Sequence, residues 1–262
     1  MLQLQNMNML EKRTSIVDNL SICYYQAAPF DSNGALVFLH GWGSQASQFL
    51  KTLEKCQNVI ALDLPGFGES QMPHTAWSIG DYADFLKKFF EKLHIGRPML
   101  VGHSFGGNIA IKYCARYGDV RRLILIGSAG IRRKTLKKFF YFILAKVLKV
   151  TAFIPGVSQA QESVRKSFYT AIGSVDYIQA GALMEIYRKN IGEDLSGDMG
   201  RIDTVTTLIW GANDTVVPLS DGQLTQTLIK GSKLSVVPDA GHYVFLDNQT
   251  DFEKVFLAAI RS

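Results

Sequence analysis

One stretch, Arg97 to Tyr117 (RPMLVGHSFGGNIAIKYCARY), limits the folds open to this chain more than any other. The apolar run Met99–Val101 is too short for a helix and reads as a buried strand. It runs into Gly102-His103-Ser104-Phe105-Gly106-Gly107, and a helical pattern follows at once. A serine at G-x-S-x-G spacing between strand and helix sits on a sharp, strained turn. Gly102 and Gly106 keep Cβ atoms out of the places where strand and helix crowd together. Such a turn lifts the Ser104 hydroxyl above the sheet and aims the first N–H groups of the helix at whatever Ser104 attacks. A Gly-rich turn with an incidental serine has the same local signature, so the rest of the chain must decide.

The rest of the chain repeats a strand-then-helix rhythm. Ser15 to Gln26 alternates loosely around Asp18-Asn19 and reads as an opening hairpin. Short apolar strands are expected at Ala35–Leu39, Val59–Leu62, Leu123–Ile126, Thr206–Trp210 and Lys233–Val237. Apolar residues at helical spacing, from Ile79 to Leu93, predict a helix over Ser78–His94 that Gly96 stops. Gly118 ends the helix after Ser104. Further helices are expected near Leu219–Ile229 and Asp251–Ile260. Short apolar strands alternating with helices argue an α/β fold whose parallel sheet is covered on both faces. Between Gly130 and Gly200 the strand signal disappears, leaving helical stretches such as Leu136–Val150 and Tyr177–Asn190. Residues 1–130 and 201–262 therefore read as the core, and 131–200 as an inserted helical cap.

In an open parallel sheet, ligands lie beyond the carboxyl ends of the strands. The polar clusters of this chain, around Trp42, Asp63, Ser104, Ser128, Asp214 and His242, follow strand ends. A serine needs a base within hydrogen-bond reach, and His242, in a loop after a strand, is the candidate. A carboxylate must fix that imidazole's tautomer, and Asp214 is placed for it; Asp239 and Asp203 are rivals. The order Ser104…Asp214…His242 is the one this elbow geometry expects. An oxyanion would be met by the backbone N–H of Phe105 and, between two glycines, that of Trp42. Asp63 reads as ordering the Pro65-Gly66 turn, His40 as supporting the Gly41-Trp42 loop and His103 as filling the elbow. No metal site and no cofactor are expected.

Three cysteines, Cys23, Cys56 and Cys114, form neither a metal spacing nor a disulfide framework in these 262 residues, which fits a reducing compartment. The opening residues lack an apolar core of signal-peptide length, so a cytoplasmic location is expected. The net charge of +5 resides in one segment. Residues 131–200 carry 11 basic and 6 acidic residues, and the rest balances at 17 of each.

Taken together, HGWGS (40–44), DLPGFGES (63–70), GHSFGGNIA (102–110), LIWGANDTVVP (208–218) and DAGHYVFLD (239–247) resemble the α/β-hydrolase superfamily. The resemblance spans most of the chain except 131–200, where that superfamily carries its variable cap. It implies a mostly parallel eight-stranded sheet with helices on both faces and a helical cap. It also implies a serine hydrolase of carboxylic esters, with Ser104, Asp214 and His242 as its triad. Serine at 104 disfavours the chemistry of branches that carry aspartate there. The branches it looks most like are small-molecule carboxylesterases, pimeloyl-carrier-protein methyl esterases and C–C bond hydrolases of meta-cleavage products. Asp247-Asn248-Gln249 replaces the usual Glu-x-Pro, a change expected to alter a turn and a helix cap. Tyr243 after the histidine, where C–C hydrolases often carry Trp nearby, lowers that option. A ligand sensor that retains the triad is a further, less favoured reading.

Ile131–Val150 holds seven basic residues and no acidic one, with an aromatic run, Phe139–Phe142, inside it. The plain expectation is a lid helix with its lysines in water. The resemblance to carrier-protein esterases adds an acidic acyl carrier protein as a partner, and an acyl-chain substrate adds an anionic lipid surface. No groove-reading motif accompanies the basic residues, which argues against nucleic acid.

Overall fold

In the computed structural model, which describes residues 9–132 and 183–261, the short apolar runs pair into one eight-stranded sheet. The hairpin forms first in sequence: β1 (Met9–Val17) and β2 (Leu20–Ala28) are antiparallel. Asp18 and Asn19 both take positive φ, 52° and 62°, the turn that matches strand twist. The strands run longer than the alternation suggested, because β2 pairs with β1 on one side and with β4 on the other. The remaining strands are β3 (Leu36–Leu39), β4 (Val59–Leu62), β5 (Met99–His103), β6 (Arg122–Ile126), β7 (Thr206–Gly211) and β8 (Lys233–Val237). They lie in the order β1-β2-β4-β3-β5-β6-β7-β8, parallel from β4 onward.

Every residue of β3, β4 and β5 is buried, as continuous apolar strands covered on both sides must be. One face presents Phe38, Ala61, Val101, Ile124 and Ile209 to Phe49 and Leu53 and to Phe252 and Phe256. Those partners come from a helical turn with α1 (Leu50–Leu53) and from the closing helix α8 (Gln249–Arg261). The other face carries α2 (Ile79–Lys92), α3 (Phe105–Tyr117) and α6 (Leu219–Leu228). There Phe89 of α2 meets Tyr24 edge-on at 5.6 Å, and Phe90 meets Tyr113 of α3 at 5.3 Å.

Helix α2 opens on a capping box between Ser78 and Asp81. It ends two residues earlier than expected. His94, not Gly96, takes the left-handed conformation (φ 55°), and Ile95 N–H bonds back to the carbonyl of Phe90 at 2.8 Å. That is a Schellman stop, which a histidine fills at some cost in backbone strain. Gly118 ends α3 as expected, at φ 65°.

Two compact units divide the chain: Met1–Ile131 with Glu193–Ser262, and Arg132–Gly192. The sheet belongs to the first, as do α5 (Ser196–Met199) and α7 (Val244–Asp247), neither of which the sequence signalled. The second contributes α4 (Met184–Asn190), in which Asn190 turns its amide back onto the carbonyl of Ile186 at 2.6 Å. The helix expected over Leu136–Val150 lies outside the described residues, as does most of the basic segment. Among the described residues no helix is long and apolar enough to cross a membrane.

The elbow after β5 is closely packed backbone against backbone. A Cβ on Gly102 would come 2.5 Å from the carbonyl oxygen of Gly106, and one on Gly106 would meet the carbonyl oxygens of Leu39 and His40. Neither neighbour is a side chain that can swing aside. Replacing Gly106 with Ala should lower stability by about 2–3 kcal/mol, read from the shift of the urea midpoint.

Candidate active site

Ser104 is the hinge of the elbow. Its φ of 50° and ψ of −112° lie in a region that residues with a side chain rarely occupy. The surroundings hold it there. Its N–H donates to the carbonyl of Ile126 at 2.9 Å, and its own carbonyl accepts from Asn108 N–H at 3.2 Å. The hydroxyl is thereby thrown off the end of β5, with α3 starting immediately behind it.

Two other loops leave the same end of the sheet. Asp214 follows β7 and His242 follows β8, and the three side chains meet. His242 Nε2 is 3.0 Å from Ser104 Oγ, and His242 Nδ1 is 2.9 Å from Asp214 Oδ2. The carboxylate's other oxygen accepts from the N–H groups of Val216 and Val217, at 2.9 and 2.8 Å. The Asp214 side chain is fully buried, so this group of donors is what compensates its lost hydration. Its acceptor position faces Nδ1 and thus assigns the proton there, leaving the Nε2 lone pair toward Ser104. The rival carboxylates, Asp239 and Asp203, are both exposed. Gly127, at the end of β6, passes so close that an added Cβ would lie 3.3 Å from both Asp214 Oδ2 and His242 Nδ1.

The two backbone groups expected to meet an oxyanion belong to the helix that follows Ser104 and to the loop after β3. Phe105 opens α3, so its N–H has no carbonyl one turn earlier in the helix to bond. The loop after β3 runs beside the elbow: a Cβ on Gly41 would be 3.3 Å from Ser104 Cβ. Trp42 follows, its ring edge-on to Phe67 at 5.1 Å and to Phe105 at 5.2 Å. These three aromatics, with Tyr82 edge-on to Phe105 at 5.4 Å, pack as one apolar cluster beside the elbow.

His40 and Asp63 tie the neighbouring loops. His40 donates from Nδ1 to the Gly41 carbonyl at 2.8 Å and accepts the Leu64 N–H on Nε2 at 3.0 Å. Asp63 accepts from the N–H groups of Ala46, at 2.7 Å, and Glu69, at 3.0 Å. Asp63 thus holds two loops by their backbones rather than the Pro65-Gly66 turn alone. Behind His242, the Asp247 carboxylate accepts the Gly241 N–H at 2.8 Å. Asn248 then caps α8, accepting from Asp251 N–H at 3.2 Å and donating to the Pro238 carbonyl at 2.9 Å. Sequence reasoning gave the Asp247-Asn248-Gln249 departure no more than a turn and a cap. The bond from Asp247 to the residue beside His242 carried no local signal, because five residues of loop and short helix lie between the two. Among the described residues no three His, Cys, Asp or Glu side chains cluster as a metal site would require.

Burial lowers the His40 pKa from 6.5 to about 4, against a smaller upward pull from its bond to Gly41 and from Asp63. Burial, and next the proximity of His242, lower that of His103 to about 3. Both rings are neutral in the folded chain at neutral pH. The unfolded chain protonates them near pH 6.5, so it binds more protons than the folded one just below that value. Their contribution is complete above about pH 6.5 and is lost as pH falls toward about 4 for His40 and about 3 for His103. The urea midpoint should therefore drop between about pH 6.5 and pH 4.5, and His40→Gln should flatten that drop while lowering the midpoint at neutral pH.

With this geometry in place, the similarities to known proteins are informative. A profile of the alpha/beta hydrolase fold matches residues 34–249. The 2-hydroxy-6-oxo-2,4-heptadienoate hydrolase of Pseudomonas putida is 26% identical over 265 residues, covering 86% of this chain and 89% of that protein. A monoacylglycerol lipase of Xenopus laevis is 22% identical over 284 residues, covering 97% and 84%. Among solved structures, a membrane phospholipase A described as a bacterial virulence factor superposes with a TM-score of 0.76 at 23% identity, over 98% of this chain and 89% of the other. The family match takes in β3 through α7 and all three meeting side chains: the chain belongs to the α/β hydrolase family.

Proposed function

We propose that this chain is a serine hydrolase that cleaves carboxylic esters bearing an apolar acyl or alkyl group. The observation that carries the reading is the continuous line from Ser104 Oγ through His242 to Asp214, at 3.0 and 2.9 Å, at the rim where the parallel strands end. His242 Nε2 takes the Ser104 proton as Oγ bonds to the ester carbonyl carbon. The carbonyl oxygen becomes an oxyanion, received by the N–H groups of Trp42 and Phe105. When the tetrahedral centre collapses, the C–O bond to the alcohol breaks, and His242 returns the proton to the leaving oxygen. Water, deprotonated by His242, then releases the acid and restores the hydroxyl. Asp214 holds the ring by its Nδ1–H and stabilises the imidazolium. The aromatic cluster of Trp42, Phe67 and Phe105 beside the elbow supports an apolar substrate group.

The similarity to the dienoate hydrolase keeps a second reading in play, cleavage of a C–C bond in a meta-cleavage product. A methyl ester on an acyl carrier would be a special case of the first. Seven basic residues without an acid over Ile131–Val150 support an acidic carrier protein or an anionic lipid surface as partner. The three cysteines, all free and buried, support a reducing, cytoplasmic setting.

Turnover of p-nitrophenyl esters of rising chain length, beside a dienoate substrate, separates the readings; ester turnover should dominate. Ser104→Ala should abolish it in a protein with a native melt, and Asp214→Asn should lower kcat by about 10³–10⁴. Ester activity retained by Ser104→Ala would refute the assignment. Activity on a carrier-linked or vesicle-borne ester should fall as salt rises from about 0.05 to 0.5 M; no change removes the charged partner.

A further inference from the structure

His103, the residue before the proposed nucleophile, takes part in no step of that mechanism, yet its polar ring is buried at the centre of the site with 1% of its surface exposed. It is the last residue of β5, and its side chain lies on the sheet face of Phe49 and Phe245, whose rings are 5.6 and 5.4 Å away. The ring also lies 4.9 Å from that of His242 and 5.5 Å from that of Tyr243. A leucine or methionine would suit such surroundings better. The imidazole leaves its Nδ1 buried without a hydrogen-bond partner, against Gly41, where an added Cβ would be 2.9 Å away. An orphaned buried acceptor is unfavourable, and in a packed core it calls for an explanation.

The other ring nitrogen supplies one. His103 Nε2 is 3.1 Å from the main-chain carbonyl oxygen of His242, to which it donates its proton. That bond dictates the tautomer: Nε2 carries the hydrogen and Nδ1 the lone pair. It links the elbow to the loop after β8 across 139 positions of sequence, at residues 103 and 242. The side chains that must meet belong to residues 104 and 242. One peptide therefore separates the bond from the nucleophile, and none separates it from the base.

Building on the roles proposed for Ser104 and His242, we infer that His103 is a positioning residue: it anchors His242 to the nucleophile elbow through the main-chain carbonyl of His242. Its neutrality suits the task. A charged ring there would repel the imidazolium that His242 becomes in each half-reaction, and burial together with that repulsion keeps the proton off.

Three variants test the anchor. His103→Gln carries an N–H near the Nε2 position; His103→Leu fills the space without a donor; His103→Asn places its amide short, toward Gly41. Each is melted to verify folding, then assayed for kcat and KM on p-nitrophenyl butyrate. The downfield proton resonance of His242 Nδ1–H is recorded alongside, since it reports the His242–Asp214 bond whether or not substrate is turned over. The Leu and Asn variants should lose kcat by about tenfold or more with KM within about twofold, and the Gln variant should stay within about threefold of native kcat. The resonance should broaden or move in Leu and Asn and persist in Gln. Native kcat and an unmoved resonance in a folded Leu or Asn variant would overturn the anchor, as would equal losses in Gln and Asn. If Leu does not fold, the Gln–Asn pair decides. If the native chain turns over no ester, the ester reading fails on its own, and the resonance alone judges His103.

Discussion

The backbone of Ser104 is the constraint from which the site follows. A strand of a parallel sheet and the helix after it must reverse direction within one residue if the hydroxyl is to stand clear of both. Left-handed φ at a residue with a Cβ is unfavourable, and the chain sustains it by crowding. Gly102, Gly106 and the carbonyls of Leu39 and His40 are in near contact around it, and the hydrogen bond to Ile126 ties it to the neighbouring strand. The same crowding pushes the start of α3 against the end of β3. This is why the first turn of α3 and the loop after β3 run side by side at the elbow.

A strained elbow is useful only if the base is equally well placed, and His242 sits in a loop with little regular structure of its own. It is held by three hydrogen bonds, at its ring, at the N–H before it and at its own carbonyl. Asp214 accepts a hydrogen bond from its Nδ1–H, Asp247 accepts one from the preceding N–H, and His103 donates one to its carbonyl. Each comes from a different part of the chain: the loop after β7, the end of α7 and the end of β5. The parallel arrangement makes this convergence inexpensive, because every strand from β4 onward delivers its following loop to the same rim.

Much of this architecture was legible in the residues. The strand runs, the elbow and the αL glycine at 118 are local patterns, and each has a local physical cause. The stop of α2 at His94 was misread because a glycine two residues on is the stronger signal, while the Schellman bonds that decided it depend on Ile95 being drawn into the core. The short helices α5 and α7 escaped notice because four residues carry no periodicity. The sequence favoured Asp214 as the carboxylate at His242 with Asp239 and Asp203 as rivals, and both rivals lie exposed on the surface.

What the sequence determined alone is therefore whatever a few adjacent residues enforce: strand against helix, the turn at Asp18-Asn19, the sharp bend at Ser104. Tertiary structure decided the relations between residues far apart in the chain. These include which carboxylate reaches His242, that His103 faces the His242 carbonyl rather than merely filling space, and that Asp63 holds two loops by their backbones. Hydrogen bonds across 139 or 28 positions follow from strand order and register, which set where each loop emerges. No window of neighbouring residues contains that information.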